Sequence, residues 1–373
     1  MSWQIKSRRT IAASLMLALL GCFAASFALT NNSKAASKKK VTIGFVQLFN
    51  QPYAIQIANG IKVAAKEYGA SVKVTGPSSI NPAAAISNFQ NLTSSDVDGI
   101  LTMGYPAELW KRPISTAVKQ GINVATIDIS SPGSGSSFHV GSPRQQMGAA
   151  NAKLIAQKLG KNAKGQIVAG ICVPGLPQLT SPIKGLQTGL KKYAPGITVK
   201  TVTTGGSPAE NFAAWQRIVS DNPDALGFFG PCDQDLPSVV KLKETDKSSK
   251  WLGNMSSGGE DPVGWKAIPA GTLTSQTTQR GFVQGYVAAK LMLEHLVNGK
   301  KEPSGWIDTG YDLMTKSNVK NVAAALSSSA AAKKYYAGLL KALTNNPPTI
   351  KDENAQQTKF NVPSPTRDGK NLK

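Results

Sequence analysis

Short apolar runs alternate with amphipathic segments along most of the chain. The run at 41–47 (VTIGFVQ) is rich in β-branched and aromatic residues, a composition typical of a buried strand. In the segment that follows it, apolar residues recur at helical spacing and charged residues take the opposite face. The apolar positions are Ile57, Ala58, Ile61, Ala64, Ala65 and Tyr68, and the charged ones are Lys62, Lys66 and Glu67. The pattern therefore predicts a strand followed by a helix.

The same alternation runs through two successive units. In the first unit it predicts further strands at 70–76, 98–103 and 122–128, and helices at 82–93 and 108–120. In the second unit it predicts strands at 165–173, 197–202, 224–230 and 250–255, and helices at 144–159, 181–193, 208–220 and 236–245. A strand at 271–277 and a helix at 281–298 follow. Because single helices between strands imply right-handed crossovers, we expect an α/β protein with two doubly wound parallel-sheet lobes and a cleft between them.

The two ends of the chain differ from this rhythm. Residues 323–342 have the composition of a helix, and 345–373 lack periodicity, which predicts a disordered tail. Residues 1–36 begin basic, continue as a charge-free Ala/Leu-rich run and end in small polar residues, which predicts a secretory signal peptide. Two interpretations of its processing stay open: ordinary cleavage near Ala35 or Ala36, or lipid attachment at Cys22, where LLGC resembles a lipoprotein box. We therefore expect a periplasmic or other extracytoplasmic protein, either free or lipid-anchored.

The net charge of the chain is +21. The positive residues are scattered along the sequence rather than clustered, and an exported protein does not encounter chromosomal DNA. We therefore expect no nucleic-acid partner. Attraction to an anionic envelope surface, or adaptation to an acidic medium, explains the charge more simply.

Catalytic and metal-binding motifs are missing from the sequence. His139 and His295 are the two histidines, and no nucleophile elbow, C-x-x-C, H-E-x-x-H, P-loop or dinucleotide fingerprint occurs. We therefore expect a protein that is not an enzyme and that needs no metal and no cofactor.

Ligand-binding chemistry is concentrated in the segments that follow the predicted strands. In open α/β sheets, ligands bind outside the carboxyl ends of the strands. The segments at these ends are 48–53, 104–105, 128, 172–180, 231–235, 254–257 and 276–279. Aromatic rings, amides and carboxylates dominate them, and sugars need this mixture, because rings stack on their apolar faces while polar groups bind hydroxyls.

Several of these segments, taken in order, resemble the periplasmic sugar-binding proteins of ABC transporters, of the ribose-binding type. The segment 41–69 resembles the family's opening strand, loop and helix, and INVATID (122–128) resembles a fourth strand that ends in a ligand-binding aspartate. The segment 222–233 (NPDALGFFGPCD) resembles one that usually ends in Asn-Asp, and 275–285 (SQTTQRGFVQG) resembles the return strand with a ligand-facing glutamine. The resemblance covers about 41–318 and implies a type I periplasmic binding fold. GPCDQDLP, VTGPSS and VGSPRQQMG (230–237, 74–79 and 140–148) look more like the subgroup that binds rhamnose or autoinducer-2.

The match to the family is incomplete at its ligand-binding positions. Gln51 replaces an asparagine, Ile129 an arginine, Lys184 an arginine, Cys232 an asparagine, and Asn254-Met255 a Phe-Asp pair. The lysine and the Asp-Gln pair of the autoinducer-2 subgroup are also missing, near Leu48 and Ser181-Pro182. We therefore expect a ligand other than ribose bound in the standard way, and other than autoinducer-2 itself.

Ten residues are candidate ligand contacts on the strength of their positions and of the resemblance. They are Phe49, Gln51, Tyr53, Tyr105, Asp128, Lys184, Pro231, Asp233, Asp235 and Gln279. Each has a plain structural alternative: the tyrosines as packing aromatics, Asp233 and Asp235 as acids that stabilise a helix N-terminus, and Lys184 as a solvated helix residue. In this topology the strands that end at Cys172 and Pro231 are neighbours, so Cys172 and Cys232 either form a disulfide or stay as two buried thiols.

The resemblance also implies a mechanism and partners. The chain would cross between the lobes near 141, 279 and 307, which assigns 41–141 and 280–307 to the first lobe and 142–279 and 308–344 to the second. We expect a monomer that closes on a small sugar and is then recognised by the membrane permease of an ABC transporter. A receptor module that presents its ligand for chemotaxis or quorum sensing is the alternative.

Overall fold

The computed structural model describes residues 40–246, 250–352 and 366–367. It contains two six-stranded sheets. The first sheet is formed by β1 (Thr42–Val46), β2 (Ser71–Thr75), β3 (Gly99–Thr102), β4 (Asn123–Ile127), β5 (His139–Gly141) and β11 (Trp306–Asp308), in the order β11-β5-β4-β3-β1-β2. The second is formed by β6 (Gly165–Ile171), β7 (Ile197–Thr203), β8 (Gly227–Gly230), β9 (Leu252–Gly258), β10 (Ser275–Thr278) and β12 (Asp312–Met314), in the order β12-β10-β9-β8-β6-β7.

All neighbouring strands run parallel except β10 and β12, which are antiparallel. Helices lie between the strands. In the first lobe they are α1 (Pro52–Glu67), α2 (Pro82–Thr93), α3 (Ala107–Lys119) and α9 (Gly281–Asn298). In the second they are α4 (Arg144–Leu159), α5 (Pro177–Tyr193), α6 (Pro208–Asp221), α7 (Asp235–Thr245) and α8 (Pro262–Ala270). The prediction of two doubly wound α/β lobes is thus confirmed.

Close approach of two helices fixes the geometry of the second lobe near the cleft. A side chain at Gly148 in α4 would place its Cβ 1.8 Å from the Pro182 carbonyl oxygen in α5, and one at Gly185 would lie 1.9 Å from the Gln145 carbonyl oxygen. Only glycine lets the two backbones meet at this distance. The N-terminal ends of α4 and α5, which face the cleft, are therefore held against each other.

The chain passes between the lobes after β5, after β10 and after β11, and these three segments are bonded to one another. The Ser142 hydroxyl donates to the Gln279 carbonyl oxygen (2.6 Å) and lies 3.4 Å from the Thr309 hydroxyl. Gln284 Nε2 donates to both Ser142 Oγ (2.8 Å) and the Gln279 carbonyl (2.7 Å), and Arg280 Nη1 donates to the Thr309 carbonyl (2.8 Å). The three crossings therefore form one buried hinge.

The C-terminal segment differs from its prediction. The single helix expected at 323–342 is three helices, α10 (Val319–Leu326), α11 (Ser329–Tyr335) and α12 (Ala337–Asn345). The first break lies between α10 and α11, where the Ser328 side chain caps a new helix by accepting a hydrogen bond from Ala331 N (3.2 Å). The three helices contact both lobes: α10 packs on α8 of the second lobe, whereas α11 contacts α1 and α12 contacts α9 of the first lobe.

The segment continues along the first lobe beyond α12. Ile350 and Trp306 exchange two backbone hydrogen bonds of 2.7 and 2.8 Å at the edge of the first sheet. Of the predicted tail at 345–373, therefore, at least the part up to 352 is attached to the fold, and 353–365 and 368–373 lie outside the described residues. The predicted signal peptide and Cys22 also lie outside them. Among the residues that are described, no helix has both the length and the apolar character to cross a bilayer.

Candidate functional site

A cavity of about 50 Å³ lies in the cleft, where the carboxyl ends of the strands of both lobes meet. The lining residues of the first lobe and hinge are Phe49, Gln51, Tyr53, Ile80, Asp128, Ile129 and Gln279, and those of the second are Arg144, Cys172, Leu176, Gln178, Leu179, Pro231, Cys232, Asp233 and Gln234. Amide and charged groups thus converge from both sides, and the aromatic rings come from the first lobe.

Asp128 and Arg144 form an ion pair that bridges the two lobes. Asp128 directly follows β4 with a φ of 62°, a left-handed conformation that aspartate tolerates better than most residues. Arg144 Nη2 donates to Asp128 Oδ1, and the two side chains are 3% and 4% exposed. Burial disfavours the charge on Arg144, but Asp128, together with Tyr53 and Asp233, more than offsets burial and raises the pKa of the guanidinium.

Gln178, at the start of α5, makes a second contact between the lobes. Its Nε2 donates to the Asp128 carbonyl oxygen (2.9 Å). Asp128 therefore meets the second lobe through both its side chain and its backbone. Contacts of this kind form only when the lobes are close together.

Cys172 and Cys232 form a disulfide, with the sulfurs 2.06 Å apart. Their strands β6 and β8 pair directly, so the bond joins two neighbouring strand ends. Both cysteines line the cavity, next to Pro231 and Asp233. Because the bond restrains both loops, it holds these two residues in place at the wall of the cleft.

Two carboxyl groups lie on the second-lobe side, the half-buried Asp233 and the buried Glu260. Burial raises the pKa of Asp233 to about 6, although Arg144 opposes the shift. Glu260 is 2% exposed, and its Oε1 accepts from the Thr278 hydroxyl (2.6 Å) and from Gly281 N (3.2 Å) at the hinge. Burial is the main cause that raises the pKa of Glu260 to about 7, and the negative charge of Asp233 adds to it.

Phe49, Gln51, Tyr53, Asp128, Pro231, Asp233 and Gln279 are the predicted contact residues that the structure brings together around the cavity. Tyr53 is 2% exposed, and its hydroxyl donates to Gln284 Oε1 (2.8 Å), which attaches its ring to the hinge helix α9.

Tyr105, Lys184 and Asp235 do not line the cavity. The Tyr105 carbonyl accepts from Trp110 Nε1 (2.8 Å), and Lys184 is exposed on α5. Asp235 is completely buried: its carboxylate accepts from Thr204 Oγ1 (3.1 Å), Asn211 Nδ2 (2.8 Å), Trp215 Nε1 (2.8 Å) and Cys232 N (3.0 Å). Asp235 thus organises the loop that carries Asp233, from behind the cavity.

Arg144 is the main site residue that the sequence interpretation did not name, and Gln178 and Gln234 were covered only by candidate segments. One signal for Arg144 was available, since a cation in the first turn of a helix opposes the helix dipole and needs compensation from another charge. Asp128 supplies that charge, and Arg144 thereby brings to the cleft the guanidinium that position 129 lacks.

Metal binding finds no support at this site. The described parts of the chain contain no cluster of three or more His, Cys, Asp or Glu side chains that could hold a metal ion.

Comparison with known proteins agrees with this architecture. The ribose import binding protein of Bacillus subtilis is 28% identical over 271 residues, covering 72% of this chain and 86% of that protein. An ABC transporter solute-binding protein from Burkholderia graminis C4D1M, in complex with D-arabinose, superposes with a TM-score of 0.69 at 25% identity, covering 74% of this chain and 96% of its own. One from Actinobacillus succinogenes 130z with bound D-allose gives 0.68 at 19% identity, covering 76% and 100%. The family model described as periplasmic binding protein domain matches residues 44–301. This chain therefore belongs to the family of periplasmic binding proteins.

Proposed function

We propose that this protein is the extracytoplasmic solute-binding component of an ABC importer, and that it captures a small sugar or sugar-like solute between its lobes. The observation that carries the proposal is the Asp128–Arg144 pair, in which buried polar groups of opposite lobes meet at the cavity. The sugar-binding relatives support the choice of solute class. The three-segment hinge supports capture by closure.

In this mechanism the lobes separate, the solute enters, and closure removes it from water. Phe49 and Tyr53 offer apolar ring faces to the solute, while Asp128, Asp233 and the cleft glutamines accept hydrogen bonds from its hydroxyls. Burying a hydroxyl without a partner is costly, so a site of this kind rejects analogues that lack one hydroxyl. The solute leaves the cycle chemically unchanged.

The closed surface is what a membrane permease recognises, because ligand shifts the population of the protein toward that form. The protein acts as a monomer, delivered outside the cytoplasm by its N-terminal segment. The narrower likeness to the rhamnose and autoinducer-2 subgroup stays a prediction.

A thermal-shift screen of pentoses, hexoses, deoxysugars and polyols, followed by calorimetry on the hits, tests the proposal. We expect at least one sugar to bind the wild-type protein, and Asp128→Asn to weaken that binding. Tight binding of an amino acid or peptide, with no response to any sugar, would overturn the choice of solute.

A further inference from the structure

Several buried hydrogen-bonding groups of the cleft lack a partner among the described residues. Within the described part of the chain, four buried polar atoms of cavity-lining side chains have no hydrogen-bond partner: Oε1 of Gln178, Gln234 and Gln279, and Nε of Arg144. The orientation of the Gln178 amide is fixed, because its Nε2 already donates to the Asp128 carbonyl. The Gln178 oxygen is therefore a fixed acceptor, whereas the amides of Gln234 and Gln279 can present either the oxygen or the NH2 group to a solute.

The charged groups of the cleft are unbalanced toward negative charge. Arg144 is the cation that lines the cavity, and it is paired with Asp128. Asp233 adds a second carboxyl group to the lining, and Glu260 lies near enough to Asp233 for the two charges to repel. Burial raises the pKa of both carboxyl groups, to about 6 for Asp233 and about 7 for Glu260, while a hydrogen bond from Ser257 and the charge of Arg144 lower the pKa of Asp233.

An ammonium, a hydroxyl and a carboxylate group on a sugar derivative would fit such a site differently. An ammonium group has three donors and no acceptor, a hydroxyl has one donor and two acceptor lone pairs, and a carboxylate has acceptors only. A carboxylate would place a further negative charge beside Asp233, and the one guanidinium of the lining is already paired with Asp128. An ammonium group beside Asp233 would instead supply donors and offset the charge.

We propose that the cleft selects its solute by charge and takes an amine-bearing polyol, such as an amino sugar, in preference to the neutral sugar, and rejects the sugar acid. This inference rests on the proposed function and narrows its substrate class. Asp233 is the residue that determines the preference.

The experiment uses matched sets built on the same hexose scaffolds: the parent sugar, its 2-amino-2-deoxy derivative and its uronic acid. Calorimetry with the full mature chain at pH 7.5 compares the three. We expect the amine to bind about tenfold more tightly than the parent sugar on at least one scaffold, since hydrogen bonds between charged partners are the stronger ones. We expect the acid to bind more weakly than either.

Asp233→Asn keeps the shape of the side chain and removes its charge, so it should bring the affinities of amine and parent sugar together. Asp261→Asn is the matched control. Asp261 lies outside the cavity lining and caps α8 by accepting from Val263 N (2.8 Å), a role that asparagine fills equally well. This control should keep the preference for the amine.

A parent sugar that binds as tightly as its amine, or an acid that binds most tightly of the three, would overturn the inference while leaving the proposed function intact. A protein that binds no sugar of any charge would overturn both.

Discussion

Replacement of Arg144 by methionine should weaken solute binding strongly while leaving each lobe folded. Methionine keeps an unbranched apolar stem and removes the guanidinium that neutralises Asp128. When the lobes are closed the Asp128 side chain is only 4% exposed, so the variant must bury its carboxylate without that cation. Removing one partner of a buried pair costs about 3–5 kcal/mol.

This cost falls on the closed form, because water hydrates Asp128 once the lobes separate. Solute binding needs the closed form, so its apparent affinity should fall by about 10²- to 5 × 10³-fold. The assay is calorimetry with the tightest-binding sugar, with circular dichroism as the check on folding. Arg144→Lys keeps the positive charge and should therefore lose less affinity for the sugar than Arg144→Met.

The double variant Asp128→Asn with Arg144→Met gives the sharpest comparison. The double variant buries no uncompensated carboxylate, so closing its lobes should cost less free energy than in Arg144→Met alone. A double-mutant cycle of solute affinities measures the difference. Affinity of Arg144→Met within a few-fold of wild type, in a folded protein, would refute the reasoning.

Three further predictions concern stability. Replacing both Cys172 and Cys232 by serine removes a cross-link with a sequence separation of 60, and the chain-entropy model gives a loss of up to about 4 kcal/mol in the free energy of unfolding. Urea denaturation measures this loss. A midpoint that changes neither with the replacement nor with reductant would argue against the disulfide. Glu260, with a pKa of about 7 against an ordinary 4.5, binds its proton more tightly in the folded state, so its stabilising effect is full below pH 4.5 and is lost as pH rises through 7. Glu260→Gln should therefore gain urea stability relative to wild type between pH 5 and 8, and a pH-independent difference would contradict this. Tyr336→Ala should lower the free energy of unfolding by about 3 kcal/mol, because the Tyr336 side chain is completely buried. Tyr335→Ala should lower it less, because Tyr335 is half-buried. Equal losses in thermal melts of the two variants would show that the C-terminal segment is not packed as described.

Local pattern predicted the lobes well, because each helix buries a continuous apolar stripe and the central strands are short apolar runs. The predicted bounds 82–93, 144–159 and 281–298 are those of α2, α4 and α9. Asp128 could be placed near the cleft from the sequence, because it directly follows a buried strand and so lies at the carboxyl ends of the strands, where ligands bind.

Contacts between distant parts of the chain were harder to predict. Arg144 follows the three-residue strand β5, which is too short to leave a periodic signal, and its partner lies on the other lobe. The C-terminal helices have apolar faces, but no feature of their spacing says which lobe those faces cover. Tyr336 illustrates this, since its hydroxyl donates to Asp312 (2.7 Å) next to the hinge residue Arg280.

Small-angle scattering with and without saturating sugar tests most directly whether the two lobes close on their solute. We predict that sugar lowers the radius of gyration toward the value of about 20 Å expected for a compact chain of this length, that the Arg144→Met variant keeps the larger radius at the same sugar concentration, and that the sugar is recovered unchanged. A radius that stays the same while calorimetry shows the sugar bound, or a sugar that is chemically altered, would contradict the account.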